Sequence, residues 1–320
     1  MRKPSGLGVR EIARKLNLNI STVSRALNRS YQVSKETTEL VLRTANEMGY
    51  HKQQTRKCIV VLLPASDVRL AWYTINLVNA LQESLMVRNY YWEFINSDRC
   101  DIIQERFVSG IISIDYTGII AEKVSRKFNI PLVCINDVSN HRANVYSVYS
   151  DARSAFTLAF DCLYDYGHRN IAFISTGGKS MEAGQRKEAF GDIVSRRQLE
   201  DKCLFFNESV QSYHGTVREL AMKGITAIIV DGENAGLSIF KSLNFCKLSI
   251  PKKMSLITWE IPYVSGMLHP AITSVEQNFP ELAEKAVLML ESVIRKEPPT
   301  TNVTVPYRIH LRDSVSIPRE

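Results

Sequence analysis

No apolar run in this sequence approaches the roughly 20 residues that a membrane-spanning helix needs. The basic opening MRKPSGLGVREIARKL has no apolar stretch behind it, so it does not read as a secretory signal. A soluble, cytoplasmic protein with no membrane partner is the expectation. Cysteine is sparse: Cys58, Cys100, Cys134, Cys162, Cys203 and Cys246 stand singly, with no Cys-x-x-Cys pair and no Cys/His cluster at zinc spacing. Reduced, buried thiols and no metal site are expected. Catalytic signatures are missing too: there is no G-x-S-x-G elbow, no H-E-x-x-H helix and no G-x-G-x-x-G turn. STGGKS (175–180) resembles the end of a phosphate-binding loop, but Phe173 stands where that loop requires its first glycine. The six histidines are isolated, and His168, inside a Gly-His-Arg turn, reads as structural. The expectation is therefore no catalytic residue, no cofactor and no enzyme.

What is present is a globular chain of 320 residues, 45% hydrophobic and 23% charged, long enough for a small domain and a larger one. Its formal charge of +7 is unevenly placed. Residues 1–58 hold 12 Lys/Arg against 4 Asp/Glu, while the rest hold 28 against 29. A basic block of that kind neutralises phosphates and releases counterions, the main source of nonspecific affinity for DNA. A merely solvated basic face is the alternative that charge alone leaves open.

Pattern narrows the choice. VREIARKL (9–16) sets Ile12, Ala13 and Leu16 on one helical face, with Arg10, Arg14 and Lys15 outside and Gly8 as cap. Asn17 tolerates a left-handed turn, Leu18 plugs it, and Asn19 caps a second helix whose Val23 and Leu27 face inward. Ser34 caps a third helix, with Leu40, Val41, Ala45 and Met48 completing the core and Gly49 ending it. Two short helices joined by a tight turn, the second rich in small polar residues and arginine, form a helix-turn-helix. Such a second helix presents its first residues to base edges in the major groove. Ile20, Ser21 and Arg25 are the candidate readers, Arg25 gripping a guanine and Ile20 touching a thymine methyl. Asn19, Thr22, Ser24, Asn28 and Ser34 complete the expected DNA-binding set, the last four suited to phosphates.

This stretch resembles the DNA-binding domain of the LacI/GalR family. The T-V-S-R-x-L-N core (Thr22 to Asn28), the V-S-x-x-T after it (Val33, Ser34, Thr37) and Gly49-Tyr50 carry the match. The resemblance implies a transcriptional regulator, expected to be a repressor, that binds a palindromic double-stranded DNA operator as a homodimer. One departure stands out. Family members follow Gly-Tyr with a hinge helix whose leucine wedges into the minor groove, whereas HKQQTRKC here has no leucine and no helical apolar pattern. DNA binding without that wedge is expected, with Lys52, Arg56 and Lys57 holding phosphates. The implied organisation is a helix-turn-helix domain over 1–50, a basic linker over 51–57 and a ligand-sensing and dimerisation domain over 58–320.

In that large domain short apolar runs alternate with helical patterns. CIVVLL (58–63), YYWEFI (90–95), GIISI (110–114), PLVCI (131–135), NIAFI (170–174), TAIIV (226–230) and MSLIT (254–258) read as strands. Helices are expected near 70–88, 119–129, 151–166, 183–197, 213–223, 234–245 and 280–296. The alternation argues for parallel sheets with helices on both faces, long enough for two lobes, with ligands near the carboxyl ends of the strands. The fold class expected overall is thus an all-α helix-turn-helix domain followed by an α/β, two-lobed, periplasmic-binding-protein-like domain.

The resemblance continues more weakly through this domain. DARSAFTLAFDCLYDYGHRNIAFIS aligns Asp151 with the family's aspartate at the start of a helix, and RKEAF aligns Arg186 with its ligand-gripping arginine. TAIIVDGEN sets Gly232 and Glu233 where Asn and Asp are usual, and ITWEI sets Glu260 at the first aspartate of V-G-F-D-D. AWY occupies the N-P-F-Y segment, and HPAITSVEQ and LRDS match later family runs. The implied effector residues are Trp72, Tyr73, Asp151, Arg186, Glu233 and Glu260, and the implied effector is a sugar or sugar derivative. Carboxylates and Arg pair with hydroxyls, and an aromatic ring covers a sugar's apolar face. Asp151 has a competing reading as a helix cap, Trp72 and Tyr73 as core or interface aromatics. Arg186 is expected in a helix's first turn, against the dipole, which marks it as functional. The altered residues at 232, 233 and 260 leave a second possibility open: a DNA-binding dimer whose large domain is a scaffold without an effector.

Overall fold

The computed structural model describes residues 8–27, 32–48, 50, 58–66, 72–105, 108–114, 123, 130–136, 146–176, 181–207, 213–297 and 302–318. Asn28, Gly49, the linker 51–57, residues 177–180 of the phosphate-loop lookalike and all but Lys123 of the helix expected at 119–129 lie outside them.

The helical head comprises α1 (Val9–Leu16), α2 (Ile20–Leu27) and α3 (Lys35–Glu47). Gly8 donates its N–H to Glu11 Oε2 at 2.9 Å, closing the first turn of α1. Asn17 takes the left-handed conformation at φ 52°, which lets Leu18 N–H reach back to Ala13 O at 3.0 Å and Leu18 pack on the core. Asn19 O accepts Val23 N–H at 3.0 Å, the first bond of α2. Ser34 caps α3 by accepting Thr37 N–H at 3.2 Å. Ile12, Ala13, Val23, Ala26, Leu27, Val41, Leu42 and Ala45 form the core. Leu40 departs from expectation: it is 46% exposed, while Leu42 is 2% exposed. The buried arc of α3 runs from Thr44 through Val41, Ala45 and Leu42 to Asn46, and position 40 falls outside it at 100° per residue.

The chain clusters into two compact units, Met1–Tyr149 with Phe279–Thr304, and Ser150–Asn278 with Val305–Glu320. The first holds β1 (Cys58–Leu63), α4 (Trp72–Val87), β2 (Tyr91–Asn96), a 3-10 segment (Ser97–Glu105), β3 (Gly110–Ser113), β4 (Leu132–Ile135) and β5 (Tyr146–Ser150). The chain then enters the second unit with α5 (Ala152–Asp165), β6 (Ile171–Ser175), α6 (Met181–Arg196), β7 (Leu204–Asn207), α7 (His214–Met222), β8 (Ala227–Val230), α8 (Glu233–Phe245), β9 (Ser255–Trp259) and β10 (Thr273–Gln277). It returns for α9 (Phe279–Ile294) and β11 (Asn302–Val305), then crosses once more for β12 (Tyr307–His310). Each unit is thus built from discontinuous stretches.

Among the described residues each sheet has six strands, in the orders β11-β5-β4-β3-β1-β2 and β12-β10-β9-β8-β6-β7. β1 through β5 pair in parallel, as do β6 through β10, and β12 runs antiparallel to β10. Alternation along a strand divides the second core in two. Ile171, Phe173, Ile229 and Ile257 meet Phe156, Phe160 and Phe190 of α5 and α6 on one face. Ala172, Ile174, Ile228 and Leu256 meet Val217, Leu220, Ile239 and Leu243 of α7 and α8 on the other. Strands covered on both faces read as continuous apolar runs, which is why β1, β3, β4, β6, β8 and β9 are visible in the sequence. All six cysteines are free, and burial pushes the Cys162 and Cys203 thiols up. Among the described residues no helix is long and apolar enough to cross a membrane.

His168 ties the second unit together. Its Nδ1 lies 2.8 Å from Thr226 Oγ1, and its Nε2 lies 2.8 Å from Ser316 O and 3.0 Å from Ser255 Oγ. A carbonyl only accepts, so Nε2 carries the proton and the Thr226 hydroxyl donates to Nδ1. Burial holds this imidazole below its usual range, Arg169 acting in the same sense and the Ser316 carbonyl against it. An unfolded histidine titrates near 6.5, so this contribution is complete above about pH 6.5 and is lost as pH falls below it. The urea midpoint should therefore drop between about pH 7.5 and pH 5.5 more steeply in the wild type than in His168→Gln. Parallel slopes would show that His168 is not the proton-sensitive group.

Candidate functional site

The first candidate surface is α2. Its inward residues, Val23, Ala26 and Leu27, are buried, and this turns Asn19, Ile20, Ser21 and Arg25 outward, with Thr22 and Ser24 partly exposed. Ile20 is 50% exposed at the head of the helix, where it serves no core. The first turn of α2 carries no acidic residue, so the partial positive charge of its N-terminus is uncompensated by its own side chains. Arg10, Arg14 and Lys15 of α1 are exposed in the same domain. Ser34 spends its hydroxyl on Thr37, whose Oγ1 lies 2.9 Å away, as well as on capping α3.

The expected effector residues divide between the two units. In the first, Trp72 opens α4 and is 41% exposed. Tyr73 is more committed: its hydroxyl accepts from Asn136 Nδ2 at 2.9 Å, and its ring meets Phe279 edge-on at 5.9 Å.

In the second unit the carboxyl ends of β6, β8 and β9 bring a compact group together. Asp231 follows β8 and is fully buried. It accepts from Thr176 N–H at 2.6 Å, Ser175 Oγ at 2.9 Å and Arg186 Nε at 3.0 Å. The Arg186 side chain is 11% exposed, and the Trp259 ring centroid lies 5.2 Å from its guanidinium carbon. No other hydrogen bond to Arg186 is formed among the described residues, so its two terminal nitrogens hold four N–H groups in reserve. Helix α6 starts at Met181, which puts Arg186 in the second turn. The dipole argument for this residue therefore fails, and the Asp231 carboxylate is what compensates its charge.

Gly232 has φ 90°, and a Cβ there would collide with Thr176 Oγ1, which donates to Asp231 O at 3.0 Å. That geometry explains the missing asparagine at 232: the position takes no side chain. Glu233 opens α8, and its side chain lies outside the described residues. Asp151 caps α5, its Oδ1 accepting Arg153 N–H at 2.9 Å, which is the competing role named from sequence.

Glu260 also has a structural occupation. Arg312 donates to its Oε2 at 2.8 Å and its Oε1 at 3.1 Å, and Ser274 Oγ bonds Oε2 as well. Arg312 further donates to Ile272 O at 2.6 Å and Ser274 Oγ at 2.8 Å. Two residues on, Ser314 Oγ donates to Leu256 O at 2.6 Å and accepts Thr273 N–H at 2.8 Å. The LRDS run thus fastens the last segment to β9 and β10.

Sequence reasoning did not single out Asp231, Arg312 or the pair Ser175 and Thr176 as parts of this group. The available signal was an acid directly after an aliphatic strand, AIIVD, and hydroxyls directly after another, AFIST. Breaking a buried pair strands its partner. Arg312→Met should cost about 3–5 kcal/mol in urea unfolding, and adding Glu260→Gln should restore much of it. No loss in the single variant would return Glu260 to the pool of ligand groups.

Comparison with known proteins agrees with this architecture. Residues 9–53 match the family described as bacterial regulatory proteins, lacI family, and residues 160–315 match the periplasmic binding protein-like domain. The ribose operon repressor of Halalkalibacterium halodurans is 23% identical over 325 residues, covering 96% of each chain. The transcriptional regulator CelR in complex with cellobiose superposes with a TM-score of 0.67 at 18% identity, covering 98% of this chain and 100% of that one. The Lac repressor dimer bound to operator and the anti-inducer ONPF gives a TM-score of 0.68 at 18% identity, with the same coverage. The chain thus joins a helical head that matches the lacI family of bacterial regulatory proteins to a periplasmic binding protein-like domain.

Proposed function

We propose that this regulator is a cytoplasmic repressor without catalytic activity, that it binds a palindromic double-stranded DNA operator as a homodimer, and that a sugar or sugar derivative held against Arg186 controls it. The observation that carries the proposal is the Arg186 guanidinium. It is anchored through Nε on Asp231, flanked by Trp259 and, among the described residues, left with its terminal nitrogens unbonded at the carboxyl edge of a parallel sheet. The names of the relatives support the ligand class, one being a ribose operon repressor and another having been solved with cellobiose. The exposed side chains of α2 support the DNA half, with Ile20, Ser21 and Arg25 as base readers; the sequence reading adds Asn19, Thr22, Ser24, Asn28 and Ser34 as further contacts. For residues 51–57 we keep the sequence reading: a basic linker that binds phosphates through Lys52, Arg56 and Lys57 and drives no wedge between bases.

The competing reading is a DNA-binding dimer whose large domain is a scaffold. It draws on Asp151 and Glu260, two expected ligand groups that have structural roles. Thermal melting against a sugar panel separates the two. One sugar should raise the melting temperature of the wild type, and Arg186→Ala should abolish that shift. Silence across the panel would favour the scaffold.

On the DNA side, Arg25→Ala should relax specificity at one operator position and cost about 1–3 kcal/mol there. Binding to a set of single-base operator variants measures it. Uniform weakening across the set would reassign Arg25 to a phosphate.

A further inference from the structure

We infer that Asp231 sets the charge selectivity of the Arg186 site, so that it takes an uncharged polyhydroxylated ligand and turns away phosphorylated or carboxylated ones. This rests on the proposed sugar-controlled function and adds to it which sugars are admitted.

An arginine alone at the carboxyl edge of a parallel sheet would favour anions, because its planar fork matches phosphate and carboxylate oxygens two at a time. Here the guanidinium already has an anion at 3.0 Å, and that anion is fully buried. A phosphate approaching the terminal nitrogens of Arg186 would meet the Asp231 carboxylate behind them. It would gain little net attraction while surrendering its hydration.

Asp231 is not placed to swing aside. Ser175 Oγ, Thr176 N–H and Arg186 Nε all donate to its carboxylate, and its own carbonyl accepts from Thr176 Oγ1. Gly232, at φ 90° and packed against Thr176, fixes the backbone immediately after it. Glu260, which follows β9, is likewise neutralised by Arg312. Arg186 therefore offers hydrogen-bond donors in a fixed direction with its charge cancelled. Hydroxyl and ring oxygens of a neutral sugar accept such donors without bringing a charge of their own, and the Trp259 ring lies on the same guanidinium.

The test is calorimetric titration of the full-length wild type, Asp231→Asn and Arg186→Ala with D-ribose, D-glucose and cellobiose, and with ribose 5-phosphate and glucose 6-phosphate. In the wild type at least one neutral sugar should bind, and its phosphorylated counterpart should bind at least about tenfold more weakly. Asp231→Asn keeps the shape and removes the negative charge, so it should narrow that ratio by about tenfold or more. Arg186→Ala should bind neither class. A wild type that takes a sugar phosphate as well as its neutral parent would overturn the charge assignment and leave the sugar-controlled reading standing. So would a ratio unchanged in Asp231→Asn. A wild type that binds no member of either class would instead overturn the sugar-controlled reading itself. If Asp231→Asn does not fold, as judged by its circular dichroism, the wild-type ratio decides alone.

Discussion

Parallel strands send all their carboxyl ends to one edge of a sheet, and the polar cluster of the second unit follows from that constraint. β6, β8 and β9 end side by side, so Ser175, Thr176, Asp231 and Trp259 become neighbours although up to 84 residues of chain separate them. Arg186 enters from α6 and finds a buried carboxylate waiting. In the sheet interior such an acid would face only apolar neighbours. At the strand end it meets a backbone N–H and a hydroxyl, and this is what makes its burial tolerable.

Much of the fold was legible from the residues, and the failures have a common cause. β1, β3, β4, β6, β8 and β9 announce themselves as aliphatic runs because both faces are covered. β5, β7, β10, β11 and β12 went unread: YSVYS, LFFN, TSVEQ, NVTV and YRIH are short and mix polar with apolar residues. β10 is instructive because it is internal, yet it buries Thr273 and Ser274 by bonding their hydroxyls to neighbours, which no hydropathy pattern anticipates. For the site the same logic holds. Arg186 was reached through a family motif, but its partner Asp231 has no periodicity to betray it, and Glu260 looked like a ligand until Arg312 was found on it.

The helical head was the most readable part because capping, turn and core signals coincide within 42 residues. Asn17 in its left-handed turn, Ser34 as a cap and the Val23/Leu27 stripe stand where the local rules place them. The exchange of Leu40 for Leu42 shows the limit of such rules. Both flank the same stripe, and only the packing of α3 on its neighbours chooses between them.

Because both α/β units are completed by chain beyond residue 278, their maturation during synthesis is coupled. A ribosome that has released only the first 278 residues exposes one sheet without its α9 cover and β11 edge, and another without β12 and the segment that Ser314 and His168 secure. The helical head faces no such delay, since its three helices bury their shared core within the first fifty residues. The nascent chain therefore completes its basic helical head well before either α/β unit has all of its strands.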